Sequence, residues 1–176
     1  MIYLNCNNDY LSSKLFTIFK QLSLSHYSNI KIEQTFFVID MEAQKKFLHI
    51  SAQNSMNFKL KLPFQISELV DTIEKISKTF YFDLLGILYY PFVQELTYKH
   101  KIIKLNLIHN QILKQLFLYK DGILKADLYK SIWPNDKDYQ VGKLDTHISN
   151  LKSFIKQGLD REIFFESNSG LLKIKI

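Results

Sequence analysis

The sequence contains one cysteine, Cys6, and one arginine, Arg161. A lone cysteine excludes an intramolecular disulfide and a metal site built from several cysteines. Every other basic residue is a lysine, so the bidentate arginine contact that proteins use to recognise guanine is almost unavailable. Lysines must therefore provide nearly all of the positive charge offered to an anionic partner.

Long apolar runs and targeting signals are also absent. No uninterrupted apolar run approaches the roughly 18 residues of a membrane-spanning helix. The first residues, MIYLNCNNDY, lack the basic segment and apolar core of a signal peptide. We therefore expect a soluble, cytoplasmic protein with no membrane partner.

The chain carries no recognisable enzyme signature. We find no nucleophile–base pair, no cluster of metal ligands and no Gly-rich phosphate loop. The 176 residues are 47% apolar, which is enough to build one large domain or two small ones. The sequence predicts a protein that is not an enzyme and needs neither a metal nor a cofactor.

The net charge of +6 is concentrated in the second half of the chain. Residues 1–84 carry nine Lys against eight acids, whereas residues 85–176 carry thirteen Lys and one Arg against nine acids. An excess of basic residues favours binding to a polyanion. The second half is therefore the better candidate for a nucleic-acid interface.

Residues 1–84 are predicted to form a small α/β domain. The segments rich in β-formers lie at residues 2–4, 30–40, 47–51 and 58–62. One helix is expected after Asn8 or Asp9, and a second begins near Ser67, with Leu69, Ile73 and Ile76 on its apolar side. Residues 85–92 contain Gly86 and Pro91 and are interpreted as the boundary between two domains.

Residues 93–176 are predicted to form a winged helix-turn-helix domain. A hairpin at 93–105 is followed by a helix that ends at the Asp121-Gly122 turn, and by a short helix at 126–133. A third helix covers 141–155, with Asp138 as its expected N-cap. A closing hairpin turns at residues 167–170. A hairpin, three helices and a second hairpin in this order are typical of that fold.

The third helix has an unusual polar face. Its apolar residues recur at intervals of three and four and predict one buried stripe: Val141, Leu144, Ile148, Leu151 and Ile155. Its polar positions carry Lys, Thr, His, Ser and Asn, with Asp145 as the only acid. Such side chains form hydrogen bonds with bases and phosphates without repelling a polyanion, although an ordinary surface helix is the alternative.

Several motifs of this half resemble the OmpR/PhoB-type transcriptional regulators. LDTHISNLKSFI is similar to the family's recognition helix, whose pattern is close to V-D-V-H-I-S-R-L-R-K-K-L. GILKADLYKSIW resembles the segment that ends in the family's tryptophan, and IFFESNSGLLKI resembles its wing. The resemblance covers about residues 93–176, with the motifs in the expected order and spacing.

The resemblance implies a set of DNA-contacting residues. Gly142 replaces the arginine that opens the family's recognition helix, so a phosphate contact at that end would fall to Lys143. Asn150 and Lys152 replace two further arginines. Trp133 matches a residue that contacts the DNA backbone in some relatives, but a partly buried core residue is an equal alternative. The implied residues are Lys143, Thr146, His147, Ser149, Asn150, Lys152, Trp133, Ser167, Asn168 and Lys173.

His147 and Asp145 also have other interpretations. A catalytic or metal-binding His147 is disfavoured, because no cysteine or second histidine lies near it in sequence. Asp145 matches a family aspartate and is interpreted as structural.

The first half resembles a shortened and degenerate receiver domain of a response regulator. KLPFQISELVDTIEKI is similar to the last strand and helix of a receiver, and IYLNCNNDYLSSKLFTIF to its first strand and helix. Cys6, Asn7 and Asn8 stand where receivers hold Mg²⁺ with acids, so the metal would bind poorly. Asp40 is the only candidate phosphoacceptor, and a strand-end aspartate is the favoured alternative. The helix near Ser67 is either a core element or, as the resemblance implies, part of a dimer interface.

Taken together, these patterns predict a sequence-specific DNA-binding transcriptional regulator. It would bind double-stranded DNA as a homodimer, independently of phosphorylation, with RNA polymerase as a possible further partner. One alternative is a winged-helix module that binds another protein, motivated by the loss of arginines. A second alternative is a phosphorylatable response regulator that uses Asp40.

Overall fold

The computed structural model describes residues 2–6, 13, 17, 26–27, 37–41, 47–52, 57–61 and 65–175. The chain divides into two units, Met1–Phe80 and Tyr81–Ile176. Both contain helices and strands, so the predicted mixed α+β class is confirmed. None of the helices in the described ranges is long and apolar enough to cross a membrane.

The first unit contains a five-stranded sheet in the order β2-β1-β3-β4-β5. Its strands are β1 (Ile2–Cys6), β2 (His26–Tyr27), β3 (Phe37–Met41), β4 (Phe47–Ala52) and β5 (Asn57–Lys61). β1 runs parallel to β2 and β3, whereas β4 is antiparallel to both of its neighbours. Residues 42–46 join β3 to β4, and such a short connection requires antiparallel pairing. Of the helix predicted after Asn8 or Asp9, the structure describes only Ser13 and Thr17. Both are helical, and the hydroxyl of Thr17 donates to the carbonyl of Ser13 (3.0 Å).

Helix α1 (Ile66–Thr79) follows this sheet. The carboxylate of Glu68 accepts a hydrogen bond from the backbone N–H of Gln65 (3.2 Å), which stabilises the first turn. Leu69, Ile73 and Ile76 are only 0–3% exposed, which confirms the predicted apolar stripe. The stripe is therefore buried within a single chain and is not available as a dimer contact.

The second unit begins with a four-stranded antiparallel sheet whose strands follow chain order. Its strands are β6 (Phe82–Leu84), β7 (Ile87–Tyr90), β8 (Glu95–Tyr98) and β9 (Lys101–Lys104). Residues 85–92, interpreted from the sequence as a boundary segment, contain β7, and the chain divides into its two units between residues 80 and 81. Ile87 and Tyr89 alternate with half-exposed residues and are 3% and 0% exposed, so the segment's apolar residues form the inner side of a strand. Gly86 (φ +87°) forms the β6–β7 turn.

A buried polar network joins this sheet to helix α2 (Leu107–Leu118). The hydroxyl of Tyr89 donates to the side-chain oxygen of Asn110 (2.7 Å), whose amide nitrogen donates to the carbonyl of Pro91 (3.1 Å). Tyr89 and Asn110 are 0% and 1% exposed. Because their polar atoms cannot form hydrogen bonds with solvent water, they depend on these partners within the protein. Burial raises the pKa of Tyr89 well above its ordinary value, which keeps its hydroxyl proton in place as the donor.

Three helices and a second sheet complete the unit. They are α2, α3 (Lys125–Ile132), α4 (Val141–Leu159), β10 (Ile123–Leu124), β11 (Phe164–Asn168) and β12 (Leu171–Lys175). The three helices pack against one another, and the three strands pair in the order β10-β12-β11. α4 is one turn longer than predicted and also packs against β9.

Gly158 sets how closely α4 approaches β9. A Cβ atom at this position would lie 2.5 Å from Cγ2 of Ile103, whereas a Cβ atom at Gly142 in the same helix would have no neighbour within 4 Å. We expect Gly158→Ala to destabilise the protein by about 1–3 kcal/mol, because the added methyl group forces the two elements apart. The free energy of unfolding from urea denaturation tests this.

Gly142→Ala is the matched control, since it adds the same methyl group to the same helix without a clash. It should be neutral or stabilising by up to about 1 kcal/mol, because alanine favours a helix more than glycine does. Equal effects of the two substitutions would contradict the proposed close packing.

Candidate nucleic-acid interface

Core packing fixes which side of α4 faces solvent. Four residues of the predicted stripe have described side chains, and they are 0–6% exposed: Leu144, Ile148, Leu151 and Ile155. Their burial confirms the stripe. Thr146, Ser149 and Asn150 are consequently exposed on the opposite side, and Lys152 is exposed on a flank. These four predicted contact residues thus lie on solvent-facing positions of one helix.

The first turn of α4 carries no acidic residue. Its N-cap is Gln140, whose side chain makes no capping hydrogen bond, so the prediction that Asp138 caps this helix is wrong. The capping position directly precedes the helix, and Asp138 lies two residues too early to occupy it. Free N–H groups and the helix dipole make such an end favourable for an anion.

A compact cluster stands beside this end of the helix. Asp136 accepts hydrogen bonds from the ammonium group of Lys143 (2.8 Å) and from the hydroxyl of Tyr129 (2.5 Å). The same ammonium group lies 4.4 Å from the ring centre of Trp133, which is a cation–π contact. Lys143, predicted to contact a phosphate, is therefore already paired with a carboxylate within its own chain.

The cluster changes the acidity of its members. The hydrogen bond from Lys143 is the main cause that lowers the pKa of Asp136, and the bond from Tyr129 adds to it. The bond to Asp136 is likewise the main cause that raises the pKa of Lys143. Burial, followed by the contact with Asp136, raises the pKa of Tyr129. All three groups keep their ordinary charge at neutral pH.

Two histidines and two aromatic residues pack along one flank of α4. The His147 ring lies 5.4 Å from that of Trp133 and 6.3 Å from that of His109. His109 is 5% exposed and also contacts Phe154, with 6.0 Å between ring centres. Burial, and secondarily the nearby His147, lower the pKa of His109, which therefore stays neutral. His147 and Trp133 are both half-buried, so each combines a packing contact with partial access to solvent.

Asp145 and Lys152 lie on the other flank. Asp145 accepts a hydrogen bond from Lys125 of α3 (2.7 Å), an ion pair that links the two helices. The ammonium group of Lys152 lies 5.4 Å from the ring centre of Phe165 in β11. Among the residues that the structure describes, no carboxylate pairs with Lys152.

The predicted wing is the β11–β12 hairpin. Ser167 and Asn168 are exposed near its turn, and Lys173 pairs with Glu166 on the neighbouring strand (3.1 Å). Leu124 and Leu171 are partners in the register of β10 with β12, so the hairpin is anchored next to the start of α3.

The structure thus brings the predicted residues of α4 and Trp133 together and adds residues that the sequence did not indicate. Asp136, Tyr129 and His109 contact predicted residues, and Lys125 pairs with Asp145. Tyr129 precedes Trp133 by one helical turn, so the spacing could have revealed that neighbour. Pairing across a loop, as between Asp136 and Lys143, leaves no such periodic signal.

Asp40, the candidate phosphoacceptor, lies inside β3. Its register partners are Asn5 on β1 and His49 on β4. Asn7 and Asn8 lie outside the described residues. In the parts of the chain that the structure describes, no group of three or more His, Cys, Asp or Glu side chains could hold a metal ion.

A scan of protein-family models found no match for the chain, and a search of curated proteins also found none. Its function is therefore inferred from the chemistry of its own residues.

The ion pair between Asp136 and Lys143 should make stability depend on pH. The pKa of Asp136 lies below its ordinary value of 3.8 in the folded state, so the pair stabilises the protein above that pH. We expect Asp136→Asn to lower the melting temperature at pH 7. The difference from the unmodified protein should shrink as the pH falls through the folded-state pKa. Thermal unfolding followed by circular dichroism at neutral and acidic pH measures both effects.

Asp138→Asn is the control, because Asp138 lies in the same loop and makes no ion pair with any described residue. It should leave the melting temperature at pH 7 nearly unchanged. A loss of stability in Asp136→Asn that is the same at every pH would argue against the ion pair as its cause.

Proposed function

We propose that the chain is a sequence-specific DNA-binding transcriptional regulator of the OmpR/PhoB type. Its second unit would be a winged helix-turn-helix domain, and its first unit a degenerate receiver. The observation that carries this proposal is the exposed side of α4. It presents the hydroxyl and amide groups of Thr146, Ser149 and Asn150, and the first turn of the helix contains no acidic residue. Such a face suits contact with a polyanion whose bases are recognised through hydrogen bonds.

The arrangement of elements supports this proposal. α3 and α4 pack against each other and against α2, and the β11–β12 hairpin follows α4 directly. In a helix-turn-helix the second helix lies in the major groove, and its N-terminal residues contact base edges. In this chain that part of α4 carries Thr146, Ser149 and Asn150.

The roles of the residues follow from their surroundings. Thr146, Ser149 and Asn150 contact base edges, while His147 and Trp133 border the DNA backbone from their half-buried flank. Lys152 contacts a phosphate, and Lys143 does so only when a phosphate replaces Asp136. Ser167, Asn168 and Lys173 of the hairpin approach the neighbouring groove.

The first unit supports the receiver comparison in one respect and departs from it in another. Its strand order of 2-1-3-4-5 is that of flavodoxin-like folds. Its fourth strand is reversed, however, because residues 42–46 leave no room for a helical crossover. Under this proposal the first unit mediates homodimerisation and does not respond to phosphorylation. Because the apolar stripe of α1 is buried, the contact between chains uses another surface.

A second candidate function is a module that binds another protein, such as RNA polymerase, without DNA. Leu124 in β10 and Phe164 in β11 lie on the two edge strands of the β10-β12-β11 sheet and are 50% and 58% exposed. Apolar exposure of this kind favours a protein partner. Retention of purified RNA polymerase by the immobilised chain in nuclease-treated buffer, together with no gel shift on DNA, would favour this function.

A gel-shift titration with genomic fragments tests DNA binding. We expect complexes at about 50 mM salt that weaken as the salt concentration rises. Lys152→Ala should lower affinity for all sequences and reduce the slope of log K against log salt by about 0.9, the value of one phosphate contact. Lys78→Ala, which removes the same charge from the first unit, should change neither quantity. Failure of the unmodified protein to bind any fragment would refute the proposal.

Incubation with acetyl phosphate and Mg²⁺ tests whether Asp40 is a phosphoacceptor. We expect the intact mass to stay unchanged, because amides and a thiol replace the acids that would hold the metal. A mass increase of one phosphate that disappears in Asp40→Asn would instead favour a phosphorylatable regulator.

A further inference from the structure

The hydrogen-bonding groups of α4 differ in what they can offer to a base. In the major groove guanine presents two acceptors, N7 and O6, whereas adenine presents the acceptor N7 and the donor N6. Thymine adds a methyl group. A protein surface rich in cationic donors therefore selects guanine, and a neutral surface with both donors and acceptors selects adenine.

Asn150 has both kinds of group free. It is exposed, and its side-chain amide makes no hydrogen bond with any residue that the structure describes. An amide placed at the edge of an adenine donates to N7 and accepts from N6, which gives a bidentate contact. Asn150 lies one helical turn after Thr146, so both side chains face the same side of α4.

Thr146 is restricted to one kind of contact. Its hydroxyl donates to the carbonyl of Gly142 (2.7 Å), so its proton is already used within the helix. The oxygen can then only accept, from N6 of adenine or N4 of cytosine, and not donate to guanine. The methyl group of Thr146 remains available for a thymine methyl.

Apart from Lys152 on the flank, the cationic donors considered for this face are engaged elsewhere. Arg161 donates to the hydroxyl of Tyr98, and its guanidinium lies 4.8 Å from that ring. Lys143 is bound to Asp136 and Lys125 to Asp145. The groups suited to guanine are thus absent from the exposed centre of the face.

On the basis of the proposed function, we infer that α4 reads A·T base pairs in the major groove. Asn150 contacts an adenine, and Thr146 contacts the neighbouring base. Selectivity arises from neutral amide and hydroxyl groups rather than from charge. Asn150 is the specificity-determining residue.

Competition binding with the full chain tests this inference. The probes are duplexes with identical flanks and a central block of mixed A·T pairs, G·C pairs or inosine·cytosine pairs. We expect the A·T block to bind about tenfold more tightly than the G·C block, as one bidentate base contact requires. The inosine·cytosine block should behave like G·C, because inosine keeps the major-groove O6 and N7 of guanine but lacks its minor-groove amino group. Replacing adenine by 7-deazaadenine should remove most of the preference.

Asn150→Ala should abolish both the A·T preference and the sensitivity to 7-deazaadenine. Gln157→Ala is the matched control: it removes an exposed amide two turns further along the same side of α4, beyond the N-terminal residues that contact bases. It should leave both effects in place. Circular dichroism of each variant confirms that it is folded.

The outcomes separate this inference from the function on which it rests. Equal binding of all blocks would overturn the inference and leave DNA binding intact. The same holds if inosine·cytosine binds like A·T, which would indicate minor-groove recognition, or if Asn150→Ala keeps the preference. Absence of binding to every duplex would overturn both.

Discussion

The second unit depends on the burial of one side of α4. Five apolar residues of this helix are 0–6% exposed: Leu144, Ile148, Leu151, Ile155 and Leu159. Turning the helix by one residue, about 100°, would expose much of this stripe and lose roughly 1.5–3 kcal/mol for each large side chain left in water. Gly158 adds a second constraint, because its lack of a side chain lets α4 lie against Ile103. Core packing therefore determines which polar groups the helix presents to a partner.

Among the residues that the structure describes, four lysines of this unit form ion pairs with carboxylates of the same chain. Lys143, Lys125 and Lys173 each pair with a carboxylate at 2.7–3.1 Å. These pairs are partly exposed, so each one contributes little to stability. Their larger effect is on a partner, since a phosphate must displace a carboxylate before it can use the lysine. The number of lysines in the sequence therefore overstates the free positive charge that DNA would meet at this surface.

The sequence predicted the local features and missed those that depend on distant residues. The stripe of α4 and that of α1 follow from helical periodicity, which needs no knowledge of the fold. β7 was missed because Gly86 and Pro91 resemble the ends of a linker, although they flank the alternating Ile87 and Tyr89 of a strand. The pairing of Lys143 with Asp136 depends on how the loop folds back against α3. Asp138 was predicted as the N-cap from its residue type alone, but the helix begins two residues too late for Asp138 to cap it.

Under the proposed function, these features set the balance between affinity and specificity. Neutral hydrogen-bonding groups distinguish bases but contribute little to the electrostatic attraction that supplies most non-specific affinity. A single chain with lysines already paired would thus bind near the non-specific range of about 10⁻⁴–10⁻⁶ M at physiological salt. Two linked chains on adjacent half-sites gain affinity by effective concentration without any new contact. The shortage of free positive charge on α4 is therefore the physical reason why a regulator built on this unit would need a second copy.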